Sequence, residues 1–417
     1  MRRSLVMAAT AAVVLAAMLP ARAGTDPYRD RQWGLDQIRA TQSWSGSRGA
    51  GVVIAIIDSG IDLTHPDLRS KIASSYSCIG GSCASGGDDD NGHGSHVAGI
   101  AAAATGNGVG VAGVAPSAKL MAVKTIGANG SGACSDIEAG IRWAADRGAD
   151  VINMSLGPEI FSSPTGALGL LCIDGLQSAA EYAFGRGAVV VISAGNDGLF
   201  SFYSSNHLLV VGATGPDDRP ASYSNGGANI YAPGGDASGT CTPSTCVFST
   251  YKDGQYASIQ GTSMAAPHVS GVAAQLLAKG YSNAAAISRI VSTADLVNGI
   301  RRINAARAVG TSSSTPGPTN SSKPKPGSPR PPSSGGRGGA GATAGATPTS
   351  GTSAGPSVLP TKITPPGDGT PSSGAPLAAG PSRPPLSSGR AALILGATAL
   401  GLAAAAATVF LRRRSAG

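Results

Sequence analysis

Residues 24–310 alternate between short apolar runs and segments of helical periodicity, and this alternation constrains the fold more than any other feature. The runs have the length of buried strands, and the intervening segments carry apolar residues every three or four positions. Such a pattern predicts right-handed βαβ units and hence an α/β fold, with a doubly wound, mostly parallel sheet and helices on both faces. The predicted strands are Gly51–Ile57, Lys119–Thr125, Val151–Met154, Ala188–Ser193 and Leu208–Ala213, and the predicted helices are Asp136–Arg147 and Gly175–Arg186.

Segments of different composition flank this region. Residues 1–23 combine early arginines, an apolar stretch and an Ala-Arg-Ala cleavage pattern, which predicts a signal peptide. Residues 311–388 consist mostly of Pro, Gly, Ser and Thr and predict a disordered linker. Residues 391–411 are uncharged and long enough for one transmembrane helix, and the arginines in 412–417 predict a cytoplasmic tail. The region 24–310 is then expected on the extracytoplasmic side of the cell membrane.

The net charge of +8 comes from the flanking segments. Residues 24–310 hold 18 Lys and Arg against 22 Asp and Glu, which leaves this region near −4. A basic isoelectric point that arises in the tails says little about what the folded region binds. No nucleic acid partner is therefore expected.

All six cysteines lie within residues 24–310. An even number of cysteines in an exported chain predicts disulfides, and the absence of a Cys-x-x-Cys pair argues against zinc. Local bridges are the simplest pairing for cysteines close in sequence, and the two that remain would then pair, although other connectivities stay open. The bridges of this hypothesis are Cys78–Cys83, Cys241–Cys246 and Cys134–Cys172.

Three motifs contain residues that can carry hydrolytic chemistry. Asp58 terminates the first predicted strand, where a carboxylate can orient an imidazole. His93 stands between glycines at the start of a helix rich in small residues. Ser263 opens a further helix, whose N-terminal N–H groups can stabilise negative charge. Each residue alone also has a structural interpretation, as a capping Asp, a structural His and an N-cap Ser, and His96 competes with His93.

The three motifs together resemble those of the subtilisin family of serine proteases. The string GTSMAAPHVSG resembles the serine motif of that family, and the resemblance extends from about residue 26 to 308. The order Asp, His, Ser is also that of subtilisin. The resemblance implies a peptide-hydrolysing triad of Asp58, His93 and Ser263, which works through an acyl-enzyme and needs no cofactor for catalysis.

The resemblance also implies further site residues. Asn196 would donate its amide to the oxyanion of the tetrahedral intermediate, although a turn residue is the alternative interpretation. The segment Ser155, Leu156 and Gly157 would bind protein or peptide substrate as an added extended strand. Some members of the family bind calcium, and the matching positions here are Asp26, Asp67 and Asn107, with the carbonyl groups of Val109 and Val111 completing a possible structural Ca²⁺ site.

Two further interpretations concern the surroundings of the site. The acidic run Asp88-Asp89-Asp90 is expected to be a solvated loop ahead of the histidine motif.

The order of segments, with little sequence between the signal peptide and the first strand, resembles the mycosins, which are actinobacterial proteases tied to type VII secretion. The expected protein is thus a membrane-anchored extracytoplasmic serine endopeptidase, with secretion-system components as possible partners. The rival hypothesis is a structural subunit of a secretion complex in which proteolysis is secondary.

Overall fold

The predicted strands pair side by side in one twisted sheet. The computed structural model describes residues 25–156, 166–201, 203, 205, 207–311 and 361–363. Within them, a ten-stranded sheet has the order β11-β12-β8-β7-β6-β5-β1-β4-β2-β3, and neighbours from β12 to β2 are parallel. The strands are β1 Val53–Asp58, β2 Ile72–Ser77, β3 Ala84–Ser85, β4 Lys119–Lys124, β5 Val151–Met154, β6 Val189–Ser193, β7 Leu208–Thr214, β8 Ile230–Pro233, β11 Asp295–Val297 and β12 Ile300–Arg302.

A second, antiparallel sheet lies close in sequence to the serine motif. Its strands are β9 Val247–Tyr251, β10 Gln255–Ile259 and β13 Thr361–Ile363. β10 pairs with both neighbours and leads directly into the helix that carries Ser263. β13 lies within residues 311–388, the stretch that the sequence predicts as a linker.

Helices cover both faces of the large sheet. In β1, Ile54 and Ile56 pack into the core on one face, while Ala55 and Ile57 pack into the core on the other. Both faces of the strand are therefore apolar and need to be covered. The helices are α1 Trp33–Gln37, α2 Ala40–Ser43, α3 His93–Ala102, α4 Cys134–Asp146, α5 Gly166–Gly185, α6 Thr262–Leu277, α7 Asn283–Ser292 and α8 Ala305–Val309. The helices α3 and α6 cover the first face, and α4 and α5 cover the second.

The predicted α/β fold with a mostly parallel sheet is confirmed. The five predicted strands lie within two residues of β1, β4, β5, β6 and β7, whereas α5 begins nine residues before its predicted start. Of the helices that the structure describes, none is long and apolar enough to cross a membrane. The predicted signal peptide 1–23, the predicted span 391–411 and the tail 412–417 lie outside the described residues.

The predicted disulfides are confirmed. Cys78 is bonded to Cys83, Cys134 to Cys172 and Cys241 to Cys246. The second of these bridges joins the start of α4 to α5 on one face of the sheet.

Candidate active site

The residues singled out from the motifs meet at the carboxyl ends of the central strands. Asp58 is the last residue of β1, and Asn196 follows the end of β6. His93 is the first residue of α3, and Ser263 is the second residue of α6. These residues line one cleft of about 240 Å³, together with Asn91, Ile126, Gly130, Ile259 and Gln260. This is the edge at which parallel α/β sheets place their functional groups.

Asp58 and His93 are joined by a hydrogen bond of 2.8 Å between Oδ1 and Nδ1. The same Oδ1 accepts a bond of 2.7 Å from the backbone N–H of Ser59. Asp58 is fully buried, whereas 28% of the His93 side chain is exposed in the cleft. A carboxylate that accepts from Nδ1 places the ring proton there, so Nε2 is the unprotonated nitrogen that can act as a base.

A close backbone approach allows this pairing. A Cβ atom on Gly94 would lie 2.1 Å from the backbone oxygen of Gly60, so only glycine lets the first turn of α3 rest on the turn after β1. Gly92, immediately before the helix, has a φ of 110°, which favours glycine. Gly94 therefore serves the contact between α3 and the turn after β1, whereas Gly92 supplies the left-handed backbone ahead of the helix and lies against the ring of Tyr251.

His96, the competing histidine, lies away from the cleft. It is fully buried, and its Nε2 atom is 3.1 Å from the backbone oxygen of Ala257 on β10. Burial lowers the pKa of His96 to about 3, so the ring is neutral at ordinary pH. His96 is thus a structural residue between α3 and β10.

A hydrogen bond from Ser155 holds the backbone carbonyl group of Ser263 in place. Pro267 lies inside α6 and has no N–H, so the carbonyl four residues before it, that of Ser263, lacks its usual helical donor. The hydroxyl of Ser155 donates to this carbonyl at 2.7 Å. In return, the backbone oxygen of Ser155 lies 3.4 Å from the Oγ atom of Ser263. Ser155 therefore contacts both ends of the candidate nucleophile.

Two buried residues behind Ser155 fix the direction of its hydroxyl, and the sequence analysis did not single them out. Ser270 of α6 donates to Oδ1 of Asn153 at 2.8 Å. The Nδ2 group of Asn153 then donates to Oγ of Ser155 at 2.9 Å. Because that oxygen already accepts, its own proton is directed to Ser263. Asn153 is a polar residue inside the otherwise apolar strand β5, and this is the sequence signal by which it could have been found.

The orientation of the Asn196 amide is also fixed. Its Oδ1 atom accepts from both the backbone N–H and the hydroxyl of Thr262, each at 2.9 Å. The donor half of the amide, Nδ2, is therefore turned away from Thr262, in a side chain that lines the cleft with Ser263. In the first turn of α6, the N–H of Thr262 donates to Asn196 and that of Met264 donates to the carbonyl of Gly261.

The predicted substrate-binding segment follows β5. Leu156 is buried, and its carbonyl accepts a bond of 2.9 Å from the hydroxyl of Ser193, so this residue faces inward. Ser155 contacts Ser263 as described above. Gly157, the third residue of the predicted segment, lies outside the described residues.

The structure brings the candidate calcium ligands together, but their side chains already accept bonds from the protein. Oδ1 of Asp67 accepts from Nδ2 of Asn107 at 2.9 Å. Oδ2 accepts from the N–H of Val111 and from the hydroxyl of Tyr256, both at 2.9 Å. Burial raises the pKa of Asp67 to about 6.

Asp26 is used in the same way. Its Oδ1 atom accepts from the N–H groups of Gly106 and Asn107, at 2.7 and 3.2 Å. Oδ1 of Asn107 accepts from the N–H of Val109 at 2.9 Å. In this arrangement the carboxylate oxygens of Asp26 and Asp67 accept from N–H and O–H donors of the protein. Among the described residues, no group of three or more His, Cys, Asp or Glu side chains could hold a metal.

A carboxylate, an imidazole and a serine hydroxyl that share one cleft of an α/β sheet are the arrangement of a serine hydrolase. The sequence profile of the subtilase family matches residues 49–327, and the chain belongs to that family. Thermitase from Thermoactinomyces vulgaris is 39% identical over 295 residues, which cover 68% of this chain and 98% of thermitase. Subtilisin Savinase from Lederbergia lenta is 41% identical over 256 residues, which cover 60% of this chain and 85% of that protein.

A solved structure agrees with these relatives. A protease from Pseudoalteromonas arctica aligns with a TM-score of 0.60 at 33% identity, covering 70% of this chain and 100% of that chain. The chain is therefore a serine endopeptidase of the subtilisin type. The resemblance inferred from the motifs is confirmed at the level of the family, and no cofactor is required for catalysis in this chemistry.

Proposed function

We propose that the protein is a membrane-anchored, extracytoplasmic endopeptidase in which Asp58, His93 and Ser263 form the catalytic triad. The observation that carries the assignment of roles is the 2.8 Å bond between Asp58 and His93 in the cleft that Ser263 also lines. The anchor and the location rest on the sequence of residues 1–23 and 391–417.

In the acylation step, Ser263 attacks the carbonyl carbon of the scissile peptide bond. Nε2 of His93 takes the hydroxyl proton as the bond from Oγ to carbon forms. Asp58 stabilises the imidazolium through Nδ1, which it also holds in the required tautomer. The imidazolium then protonates the amide nitrogen, the C–N bond breaks, and the amine leaves while the acyl group stays on Ser263.

The tetrahedral intermediate carries a negative oxygen that the cleft can stabilise. Nδ2 of Asn196 and the backbone N–H of Ser263 are the donors assigned to it. Both are fixed before the substrate arrives, because Thr262 holds the amide of Asn196 and α6 holds the N–H. Such preorganised donors need no rearrangement when the charge develops.

Hydrolysis of the acyl-enzyme reverses these roles. A water molecule gives one proton to Nε2 of His93 as its oxygen adds to the acyl carbon. The second tetrahedral intermediate collapses, the bond from carbon to Oγ of Ser263 breaks, and His93 returns the proton to Oγ. The products are a peptide with a new carboxylate and the free enzyme.

The substrate in this proposal is an extended peptide segment that adds as a strand beside residues 155–157. Strand addition uses main-chain hydrogen bonds, which suits an endopeptidase. Secretion-system components are the proposed partners, because the order of predicted segments resembles that of mycosins. No catalytic step in the proposal requires calcium.

Peptide hydrolysis by the membrane-bound full chain tests this function. Wild type should cleave an internal bond of an unfolded protein substrate, and Ser263→Ala should lose at least about 10⁴-fold in kcat. Ser244→Ala, in an exposed loop, is the matched control and should keep wild-type activity. Equal rates for wild type and Ser263→Ala would refute the triad.

Deletion of residues 391–417 tests the anchor separately. The truncated protein should remain active and be released into the medium. Retention of the truncated protein in the membrane fraction would contradict the proposed anchor, without affecting the triad.

A further inference from the structure

The acidic run Asp88-Asp89-Asp90 was expected to be a solvated loop, and its middle residue contradicts this expectation. Asp88 and Asp90 are exposed, whereas Asp89 is buried. Its exposed fraction is only 8%, in a segment where both neighbours face solvent. A buried carboxylate needs hydrogen-bond donors around it, and their identity indicates what the residue does.

Asp89 accepts hydrogen bonds through both of its oxygens. Oδ1 accepts from the N–H of Asn91 at 3.0 Å, the N–H of Gly92 at 2.8 Å and the hydroxyl of Ser59 at 2.9 Å. Oδ2 accepts from the N–H and the hydroxyl of Ser95, at 2.8 and 2.6 Å. Each of these donors belongs to the turn after β1, to the two residues before α3 or to the first turn of α3.

The bonds to Gly92 and Ser95 cap α3 from outside the helix. The residue at the N-cap position is Gly92, which has no side chain that could cap the first N–H groups. His93 is the first residue of that helix, and terminal turns fray more readily than helix interiors. The hydrogen bonds that hold this turn in place therefore also hold the imidazole of His93 in place.

The bond to Ser59 extends the same carboxylate to the other partner of His93. The Ser59 hydroxyl donates to Asp89 and accepts from the N–H of Gly94 at 2.9 Å. The backbone N–H of Ser59 donates to Asp58. One side chain thus links the residue next to Asp58 with the turn that holds His93, and it directs the Ser59 hydroxyl to itself.

We propose that Asp89 is a positioning residue that sets the geometry between Asp58 and His93. This inference rests on the proposed triad. Asp89 does not line the cleft and takes no proton in the reaction. It acts by fixing the two elements, β1 and α3, whose ends carry the general base and the carboxylate that orients it.

The test is Asp89→Asn in the full chain, with kcat expressed per active site as titrated by a fluorophosphonate. An amide has one acceptor oxygen and one donor nitrogen, so at least one set of donors now faces an N–H group. We expect kcat per titrated site to fall about 10- to 100-fold, as displacement of a catalytic group does, with KM changed less than about twofold.

Asp90→Asn is the matched control. It makes the same change of charge one residue away, at a side chain that is 53% exposed and paired with Lys124. This variant should keep the wild-type kcat. Ser59→Ala is a milder second variant for the case in which Asp89→Asn does not fold, and it should lower kcat per titrated site by at least about threefold.

The design separates positioning from mere stabilisation. A residue that only stabilises the fold would lower the unfolding midpoint and the number of titratable sites, while kcat per remaining site stayed at the wild-type value. That result for both Asp89→Asn and Ser59→Ala would overturn the proposal. Failure of the triad itself is distinguishable, because wild type would then neither titrate at Ser263 nor turn over.

Discussion

Asp58 and Asp67 are both fully buried, yet their surroundings give them different tasks. Oδ1 of Asp58 accepts from an imidazole and a backbone N–H, while its Oδ2 accepts no hydrogen bond from the described residues. The oxygens of Asp67 accept from a side-chain amide, a backbone N–H and a tyrosine hydroxyl, and none of these donors changes its protonation state during turnover.

The comparison shows that the donor, rather than burial of the carboxylate, decides whether an aspartate does chemistry. The charge of Asp58 acts on a ring that gains and loses a proton during turnover, and it therefore lowers the energy of a transient state. The bonds of Asp67 join a loop to β10 and are the same before and after turnover, so they contribute to stability alone.

Asp58→Asn should have the largest effect on this comparison. The amide can present a donor to His93 and favour the wrong tautomer, so kcat should fall about 10⁴-fold with little change in the unfolding midpoint. Steady-state hydrolysis and thermal unfolding measure the two quantities. A loss of less than about tenfold would place Asp58 in the same class as Asp67.

Asn196→Leu extends the comparison to the oxyanion. It removes a donor that is used only when charge develops, and kcat should fall about 10²- to 10³-fold. Thr262→Val keeps the donor and removes one of the two bonds that orient it, so its loss should be smaller. An equal loss in both variants would show that the effect comes from the distorted start of α6.

Histidines give a second contrast, between His93 in the cleft and His96 in the core. Burial lowers the pKa of His96 to about 3, below its unfolded value near 6.5, so the unfolded state binds the proton more tightly. The contribution of the neutral His96 ring to the free energy of unfolding is complete above about pH 6.5. It is lost as the pH falls toward about 3, at up to about 1.4 kcal/mol per pH unit.

Urea unfolding of the inhibitor-blocked protein against pH measures this loss. His96→Gln should flatten the dependence below pH 6.5 by up to about 1.4 kcal/mol per pH unit, because the group that takes up the proton is gone. An unchanged slope would mean that other groups cause the acid sensitivity.

Asp67→Asn should have the smallest effect and the opposite character to Asp58→Asn. An amide cannot accept all three bonds, and the free energy of unfolding should fall by about 1–3 kcal/mol. The kcat of the folded variant should stay within about twofold of wild type. A large loss of kcat below the unfolding transition would contradict a purely structural role.

The sequence predicted the sheet centre because β1, β5, β6 and β7 are continuous apolar runs. It missed β2, β8 and the β9–β10 hairpin, because Ser, Thr and Tyr residues interrupt their apolar runs. The predicted start of this helix, at Gly175, lies nine residues after its observed start at Gly166.

The site was predictable only in part. The motif residues that line the cleft are recognisable by residue type and order, whereas the task of Asp89 depends on which of three adjacent aspartates turns inward. No local periodicity distinguishes these three aspartates. The position of Asp89, three residues before Gly92 and ahead of a helix, was the one available hint of a cap.

The most direct test of the central claim is to locate the adduct of a fluorophosphonate by mass spectrometry of the labelled, digested protein. The account predicts one phosphonyl group, on Ser263, and loss of labelling when the fold is denatured beforehand. Stoichiometric labelling of a different residue in the folded protein, with Ser263 unmodified, would contradict it.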